Sequence, residues 1–194
     1  MSNENNKLNG KDLINIGVFA AIYMVIMVAI SMLGFIPIFM ILLDVLVPLI
    51  CAIPFMLFLT RAKKFGMIWI FTILIGLLQL LTGMGPYAII TSFVFGLLAD
   101  LIAKSGKYQS RSKAILATTV FSGWVWGDFI PMFVNKNYFD SLSNYADGYA
   151  ESLKKLCPPW MLIVLFFAAF IAGFIGALIG QKVLKKHFEK AGIA

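Results

Sequence analysis

Six long apolar runs follow one another along the chain, separated by segments that contain charges, glycine or proline. Each run has about the 17–25 residues that a helix needs to cross a hydrocarbon core of about 30 Å. None shows the alternation of apolar and polar positions that is typical of strands. The pattern therefore predicts six transmembrane helices at about residues 13–33, 37–59, 65–81, 86–103, 113–134 and 160–184.

The polar segments divide the chain into one membrane domain and two tails. The predicted membrane domain covers residues 13–184, residues 1–12 form a polar N-terminal tail, and residues 185–194 form a basic C-terminal tail. Within the domain, residues 135–159 form a long loop. Loops longer than about 12–15 residues often close over a binding site. The alternative for this loop is a plain interfacial helix packed on the bundle.

The composition excludes a soluble globular domain. Hydrophobic residues make up 61% of the chain, charged residues only 13%, and the mean hydropathy is +0.92. Soluble domains are about half apolar and about a quarter charged. The net charge of +7 does not indicate nucleic acid as a partner, because the basic residues flank the apolar runs. The predicted fold class is an all-α integral membrane protein, a six-transmembrane-helix bundle in the lipid bilayer.

The distribution of lysine and arginine predicts the orientation of the bundle. With six spans, one side of the membrane receives 13 of the 16 basic residues and the other side receives 3. Basic residues are enriched in cytoplasmic loops. We therefore expect a multi-pass protein of the cell membrane with both termini in the cytoplasm. One span more or fewer would abolish this asymmetry, so the charge count also supports the number six.

Polar residues inside the predicted spans mark a candidate ligand site. Asp44 and Asp128 lie at a similar depth, roughly 10 Å below the outer surface at about 1.5 Å per residue. Gln79 lies near the outer end of the third span. Because charges inside a bilayer are costly, such residues are functional candidates by default. The residues predicted to bind a small molecule from outside are Asp44, Gln79, Tyr87, Thr91, Trp124, Trp126, Asp128 and, from the long loop, Tyr145 and Tyr149.

These polar residues also have structural alternatives. In the structural alternative, Asp44 or Asp128 caps a broken helix or binds a backbone amide. Three prolines disturb the second span, so backbone groups without helical partners are present there. Thr91 would alternatively bond a helix carbonyl, and the tryptophans would alternatively pack in the core. Asp100 ends the fourth span near Lys104, where we expect a surface ion pair.

Small residues recur at helical spacing in the sixth span. Two stripes at steps of four residues would let another helix approach closely. The alternatives are packing within this bundle and a docking face for a second membrane subunit. The stripes are Ala168, Ala172, Gly176 and Gly180, and Ala169, Gly173 and Ala177.

The sequence lacks the motifs of several catalytic classes. It has no G-x-x-x-x-G-K-[ST] phosphate loop, and its single histidine, His187, lies in the basic tail. A metal cluster or catalytic triad built on histidines is therefore excluded. We expect a binding or transport protein rather than an enzyme, with no cofactor or metal in this chain.

Five short segments form a series whose order and spacing are more specific than any one of them. They are Lys11-Asp12-Leu13, Gly83-Met84-Gly85-Pro86-Tyr87, Gly106-Lys107-Tyr108, Pro158-Pro159-Trp160-Met161-Leu162 and the tail from Lys185 to Ile193. The chain resembles, over essentially its whole length, the substrate-binding S components of energy-coupling factor (ECF) transporters. More narrowly, it is similar to the MptD-type or Trep-Strep group of S components.

This resemblance implies an outward-facing pocket with capping loops and a vitamin-like micronutrient as the ligand, which it does not specify. It implies a transmembrane coupling subunit and two cytoplasmic ATPases as partners, so that ATP is used by the partners and not by this chain. It also implies that small residues on the first and third helices dock the coupling subunit. The matching positions are Gly17, Ala21, Thr72 and Gly76.

Two other functions stay open on the sequence alone. A stand-alone proton- or cation-coupled secondary transporter would use Asp44 and Asp128 as its coupling groups. A non-transporting scaffold would use the small-residue stripes to bind a membrane partner.

Overall fold

The computed structural model describes residues 7–142 and 145–185, and within these residues every regular element is helical. Most of the predicted basic tail, including His187, lies outside the described residues, as do residues 1–6. The helices are α1 (Gly10–Ser31), α2 (Pro37–Arg61), α3 (Met67–Leu81), α4 (Tyr87–Ser105), α5 (Arg111–Phe121), α6 (Trp126–Val134), α7 (Tyr149–Leu156) and α8 (Met161–Val183). The long helices run alternately up and down. We call the end that carries residues 135–159 the loop end and the opposite end the basic end.

Among the described residues, four helices are long and apolar enough to cross a membrane. They are α1 with the 3-10 turn that follows it, α2, α4 and α8, and they coincide with the first, second, fourth and sixth predicted spans. Helix α3 is apolar but has 15 residues, which corresponds to about 22 Å. The structure therefore confirms, for the described residues, an all-helical fold with several apolar helices long enough to span a membrane.

The fifth predicted span is not one unbroken helix. It consists of α5, a 3-10 turn at Ser122–Trp124, and α6. Serine and glycine favour a kink, and Gly123 is wedged so tightly that an added Cβ would lie 2.9 Å from Phe95 and Phe170. At this break the Trp124 carbonyl accepts a hydrogen bond of 2.9 Å from the Thr91 hydroxyl. The prediction of a single helix over residues 113–134 was therefore wrong.

Helix α2 packs along α8 through the small residues of α8. Ala172, Gly176 and Gly180 are buried, and a Cβ on Gly176 would lie 2.6 Å from the Leu49 carbonyl oxygen. The helices can approach this closely only because the side chain is absent. The buried residues of both small-residue stripes thus pack against other helices of this bundle.

The small residues of α3 form a second tight seam, with α4. A Cβ on Gly76 would lie 2.8 Å from the Ser92 side chain, and a Cβ on Gly96 would lie 2.6 Å from the Thr72 side chain. Thr72 and Gly76 are buried in this seam. The predicted docking face on the third helix is therefore not on the surface, because α4 occupies it. Gly17, by contrast, is exposed on α1, as is the other predicted docking residue of that helix, Ala21.

Aromatic side chains fill the centre of the bundle. Phe55 of α2 stacks on Phe121 of α5, with ring centroids 3.7 Å apart and planes 7° apart. Phe58 and Phe71 stack beside them at 4.6 Å. All four rings are shielded from solvent. Burial of this much aromatic surface contributes favourably to packing and closes the space between the two ends of the bundle.

Asp100 is not the surface ion pair expected from the sequence. Its side chain is fully buried and accepts hydrogen bonds from the backbone N–H of Gly66 at 2.8 Å and of Trp69 at 3.1 Å. The Tyr108 hydroxyl donates a third bond, at 2.8 Å, while Lys104 lies over the ring of Phe65 instead. The first N–H groups of α3 lack a side-chain cap of their own, so Asp100 caps that helix from α4.

The tyrosine in this arrangement is held by an unusual turn. Lys107 and Tyr108 both have positive φ angles, 52° and 55°, which L residues rarely adopt. Burial and the bond to Asp100 raise the pKa of Tyr108 above its usual range. The phenol therefore stays protonated and continues to donate to Asp100.

Candidate functional site

A covered cavity of about 90 Å³ lies at the loop end of the bundle. It is enclosed by the turn between α1 and α2, the first turns of α2, the end of α3 and the break between α5 and α6. Four of the predicted site residues line it, namely Gln79, Trp124, Asp128 and Tyr145. The other lining residues are Met27, Ser31, Gly34, Phe35, Met40, Leu43, Val47, Met84, Val125 and Phe129.

Gln79 and Asp128 contact each other in the wall of this cavity. The Gln79 side-chain N–H donates to Asp128 Oδ2 at 2.5 Å. The other carboxyl oxygen, Oδ1, is buried and has no hydrogen-bond partner among the described residues. The amide thus holds one oxygen of Asp128 and leaves the second available to a hydrogen-bond donor or a positive group.

Asp44 lies beside the cavity rather than in its wall. Its side chain is fully buried, and neither carboxyl oxygen has a hydrogen-bond partner among the described residues. It shares the first half of α2 with the lining residues Leu43 and Val47. Pro48, four residues further on, has no N–H, so the backbone carbonyl of Asp44 also lacks its helical donor. Acceptor oxygens are therefore concentrated at this point of α2.

No lysine or arginine of residues 7–142 and 145–185 lines the cavity. An ion pair between Lys64 and Asp12, with an N···O distance of 2.7 Å, lies at the basic end. Buried carboxyl groups usually have a cation or several donors as partners. Asp44 and Asp128 together form an acceptor-rich environment suited to a ligand that carries N–H or O–H donors or a positive charge.

An aromatic floor underlies the cavity. Trp124 is completely buried, and its indole N–H donates to the Tyr23 hydroxyl at 3.2 Å. Tyr23 in turn packs edge-on against Phe71 and Phe121. This floor has an apolar surface and is tied to three helices, which gives the cavity a rigid base.

The long loop covers the cavity and is fastened to its rim. The Tyr149 hydroxyl donates to the Gly34 carbonyl oxygen at 2.5 Å, and the Tyr145 ring stacks on Tyr149 at 4.6 Å. Tyr145 also contacts Phe35. Burial, together with the nearby Tyr145, raises the pKa of Tyr149 to about 12. The phenol therefore keeps its proton and can donate to the Gly34 carbonyl across the physiological pH range.

Three predicted site residues lie elsewhere. The Thr91 hydroxyl lies within hydrogen-bonding distance of the carbonyl oxygens of Tyr87, Ala88 and Trp124, the kind of backbone contact that the structural alternative for Thr91 describes. Trp126 donates to the Leu162 carbonyl at 2.9 Å and packs on Phe166 of α8. Tyr87 lies in the first turn of α4 and is not among the lining residues.

Met84 is a lining residue that the sequence analysis missed. It lies between Gly83 and Gly85, whose φ angles are 88° and 86°. Two glycines in the left-handed region fold this connection tightly. The sequence feature that could have identified Met84 was therefore the Gly-Met-Gly segment itself, since such a turn presents a single flexible apolar side chain.

The cavity is small for the ligand class that the sequence suggested. Its volume of about 90 Å³ corresponds to roughly three water molecules, whereas small-molecule pockets measure about 300–1,000 Å³. A vitamin-sized ligand therefore requires the loop of residues 135–159 to move. The described residues contain no group of three or more His, Cys, Asp or Glu side chains that would hold a metal.

Fold and site together define an integral membrane protein of several apolar helices with a covered polar cavity at one end. Residues 10–190 match the family model Trep_Strep, described as a hypothetical bacterial integral membrane protein. The chain belongs to this family. Comparisons with curated proteins and with solved structures found no match.

Proposed function

We propose that this protein is the membrane-embedded substrate-binding subunit, or S component, of an ATP-driven micronutrient importer. The observation that carries the proposal is the covered cavity, in which Asp128, Gln79 and the adjacent Asp44 lie beneath Tyr145. Such a site can capture a small molecule and enclose it. The resemblance to ECF S components supplies the vitamin-like ligand class.

In this proposal each group has a role in binding and none in catalysis. Asp44 and Asp128 accept hydrogen bonds from the ligand or balance its positive charge, and Gln79 orients Asp128. Trp124 provides an apolar contact surface. Tyr145 and Tyr149 close the loop after the ligand enters, and the ligand excludes water from the two carboxyl groups.

The energy for import would come from partner proteins. A transmembrane coupling subunit and two cytoplasmic ATPases would bind this chain and hydrolyse ATP. The exposed small residues Gly17 and Ala21 of α1 offer a surface on which a helix of the coupling subunit can approach closely. With α3 and the α5–α6 pair as the third and fifth crossings, the bundle has six spans in the cell membrane and its termini in the cytoplasm.

A second candidate is a stand-alone proton- or cation-coupled carrier. The specific observation in its favour is Asp44, whose two carboxyl oxygens have no hydrogen-bond partner among the described residues. Its backbone carbonyl also lacks the usual helical donor, because Pro48 has no N–H. Carboxylates and freed carbonyls of interrupted helices are typical ligands of coupling ions.

One experiment separates the two candidates. The chain is co-expressed with an ECF coupling subunit and its two ATPases, the complex is purified, and released small molecules are identified by mass spectrometry. A stable complex with a bound metabolite supports the S component. No complex, under conditions where a known S component assembles, together with ion-driven uptake by the purified chain in liposomes, supports the carrier.

A further inference from the structure

A second and larger cavity, of about 380 Å³, lies at the basic end of the bundle. It is bounded by the last turns of α2, the first turns of α5 and the last turns of α8. The aromatic centre of the bundle separates it from the cavity at the loop end. Among the described residues the two cavities share no lining residue, and the larger one has no role in the proposed capture of a micronutrient.

The wall of this cavity, as far as the described residues form it, carries positive charge and no acidic residue. Its lining includes Lys63 at the end of α2, Arg111 at the start of α5, and Lys182 and Lys185 at the end of α8. The three lysines are exposed and form no ion pair within the described part of the chain. Four cations that converge on one cavity favour an anionic ligand.

The floor of the cavity is apolar. Met56, Leu59 and Leu184 line it and are buried. Between this floor and the cations lie uncharged polar side chains such as Thr60 and Ser110. From the floor of the cavity outward, the lining residues are therefore first apolar, then uncharged and polar, and then cationic. A soluble phosphate matches only the cationic part of such a surface.

We propose that this cavity binds the phosphate head group of an anionic phospholipid, with the upper part of an acyl chain on the apolar floor. The charge and the apolar surface are complementary to the two parts of that one molecule. Basic pockets between transmembrane helices on the cytoplasmic side of a membrane are known to bind such head groups. The bound lipid would join the ends of α2, α5 and α8.

The test is native mass spectrometry of the full-length, delipidated protein with phosphatidylglycerol or phosphatidylcholine. The wild-type chain should retain one phosphatidylglycerol at concentrations where phosphatidylcholine is lost. The double variant K63Q/K182Q should bind phosphatidylglycerol about tenfold more weakly, because each lysine near an anionic head group contributes a severalfold gain in affinity. Both side chains are exposed, so the variant should fold, which size-exclusion chromatography checks.

The matched control is K7Q/K11Q, which removes the same charge from two exposed lysines that do not line the cavity. It should bind phosphatidylglycerol within about twofold of the wild type. An equal loss in both double variants would overturn the proposal, and so would equal retention of the two lipids by the wild type. Inorganic phosphate or glycerol phosphate that binds as tightly as the lipid would overturn the lipid assignment in favour of a soluble phosphate.

Discussion

The side-chain amide of Gln79 donates a hydrogen bond to Asp128 in the wall of the covered cavity, although the two residues lie 49 positions apart. The bond joins the end of α3 to the first turn of α6, just beyond the break at Ser122–Trp124. Because the amide satisfies only one carboxyl oxygen, Asp128 is held in place while its other oxygen faces the interior without a described partner. The hydrogen bond from Gln79 thus fixes the orientation of the Asp128 carboxyl group.

The first prediction concerns the two acids. Asp44→Asn and Asp128→Asn should both fold, because the amide that replaces the Asp128 carboxyl keeps an oxygen for Gln79 and Asp44 has no described side-chain hydrogen bond to lose. Each should retain at least about tenfold less metabolite in the purified complex, since a hydrogen bond to a charged group contributes about 1.5–3 kcal/mol. Mass spectrometry of the released ligand measures the loss.

Asp147→Asn is the matched control for these variants, because Asp147 is exposed in the long loop and does not line the cavity. It should retain as much metabolite as the wild type. Unchanged retention in both Asp44→Asn and Asp128→Asn would remove the acids from the site.

The second prediction concerns the fastening of the long loop. Tyr149→Phe removes the hydrogen bond to the Gly34 carbonyl and should lower the free energy of loop opening by about 1 kcal/mol. Hydrogen–deuterium exchange of the α7 amides should then be about fivefold faster. Tyr145→Phe is the control, since it keeps the ring stacked on Tyr149. Equal exchange in the two variants would show that the Gly34 contact does not hold the loop.

The third prediction concerns the buried cap of α3. Asp100→Leu leaves the N–H groups of Gly66 and Trp69 and the Tyr108 hydroxyl without their acceptor. The free energy of unfolding should fall by at least about 3 kcal/mol. Tyr108→Phe removes one of the three bonds and should cost about 1 kcal/mol. Denaturant unfolding in mild detergent measures both, and a loss for Asp100→Leu no larger than that for Tyr108→Phe would argue against the cap.

The fourth prediction separates packing from docking. Gly76→Leu places a Cβ 2.8 Å from Ser92 and 2.9 Å from the Ile89 backbone, so it should destabilise the bundle by about 1–3 kcal/mol or more. Gly17→Leu meets nothing within 4 Å and should leave the thermal midpoint unchanged. Co-purification with the coupling subunit should nevertheless be lost for Gly17→Leu. If that complex survives intact, the face of α1 is not the docking surface.

The fifth prediction tests orientation through Cys157, which precedes α8. Burial raises the pKa of its thiol to about 11, and only the thiolate reacts with maleimide. Labelling of Cys51→Ala in intact cells by an impermeant maleimide should therefore rise about tenfold per pH unit from pH 7 to 9. An ordinary thiol, with a pKa of about 8.5, would begin to level off in this range.

The control for the labelling experiment is Cys157→Ala, which keeps Cys51. Since Cys51 is completely buried, this variant should not react. Labelling of Cys157 only after the cells are permeabilised would place the long loop in the cytoplasm and contradict the proposed orientation.

Counting residues along apolar runs predicted the long helices, because length and apolar content alone decide whether a helix can span a bilayer. The same counting predicted the depth of Asp44, Gln79, Trp124 and Asp128, and the structure brings these four together at or beside one cavity. Counting could not predict the fifth span's break, because close packing of Phe95 and Phe170 against Gly123 contributes to it.

Depth alone does not determine which way a side chain points. Thr91 and Trp126 have suitable depths but point to other helices, since their directions depend on how α4, α6 and α8 pack. A Cβ on Gly127 would lie 2.8 Å from the Ala88 Cα, so this contact between α4 and α6 sets the rotation of α6. The burial of Asp100 was not predicted for a related reason, because the backbone N–H groups that it caps belong to residues 34 and 31 positions earlier in the chain.

As the third crossing of the proposed six-span bundle, α3 with its 15 residues would respond to the thickness of the membrane. At about 22 Å the helix is shorter than a hydrocarbon core of about 30 Å, so lipids beside it must compress or water must enter from one leaflet. Each ångström of such mismatch costs a fraction of a kcal/mol. Gln79 lies two residues before the end of this helix, and a thicker bilayer would therefore pull directly on the residue that holds Asp128. Acyl-chain length would thus act on the candidate ligand site from outside the protein.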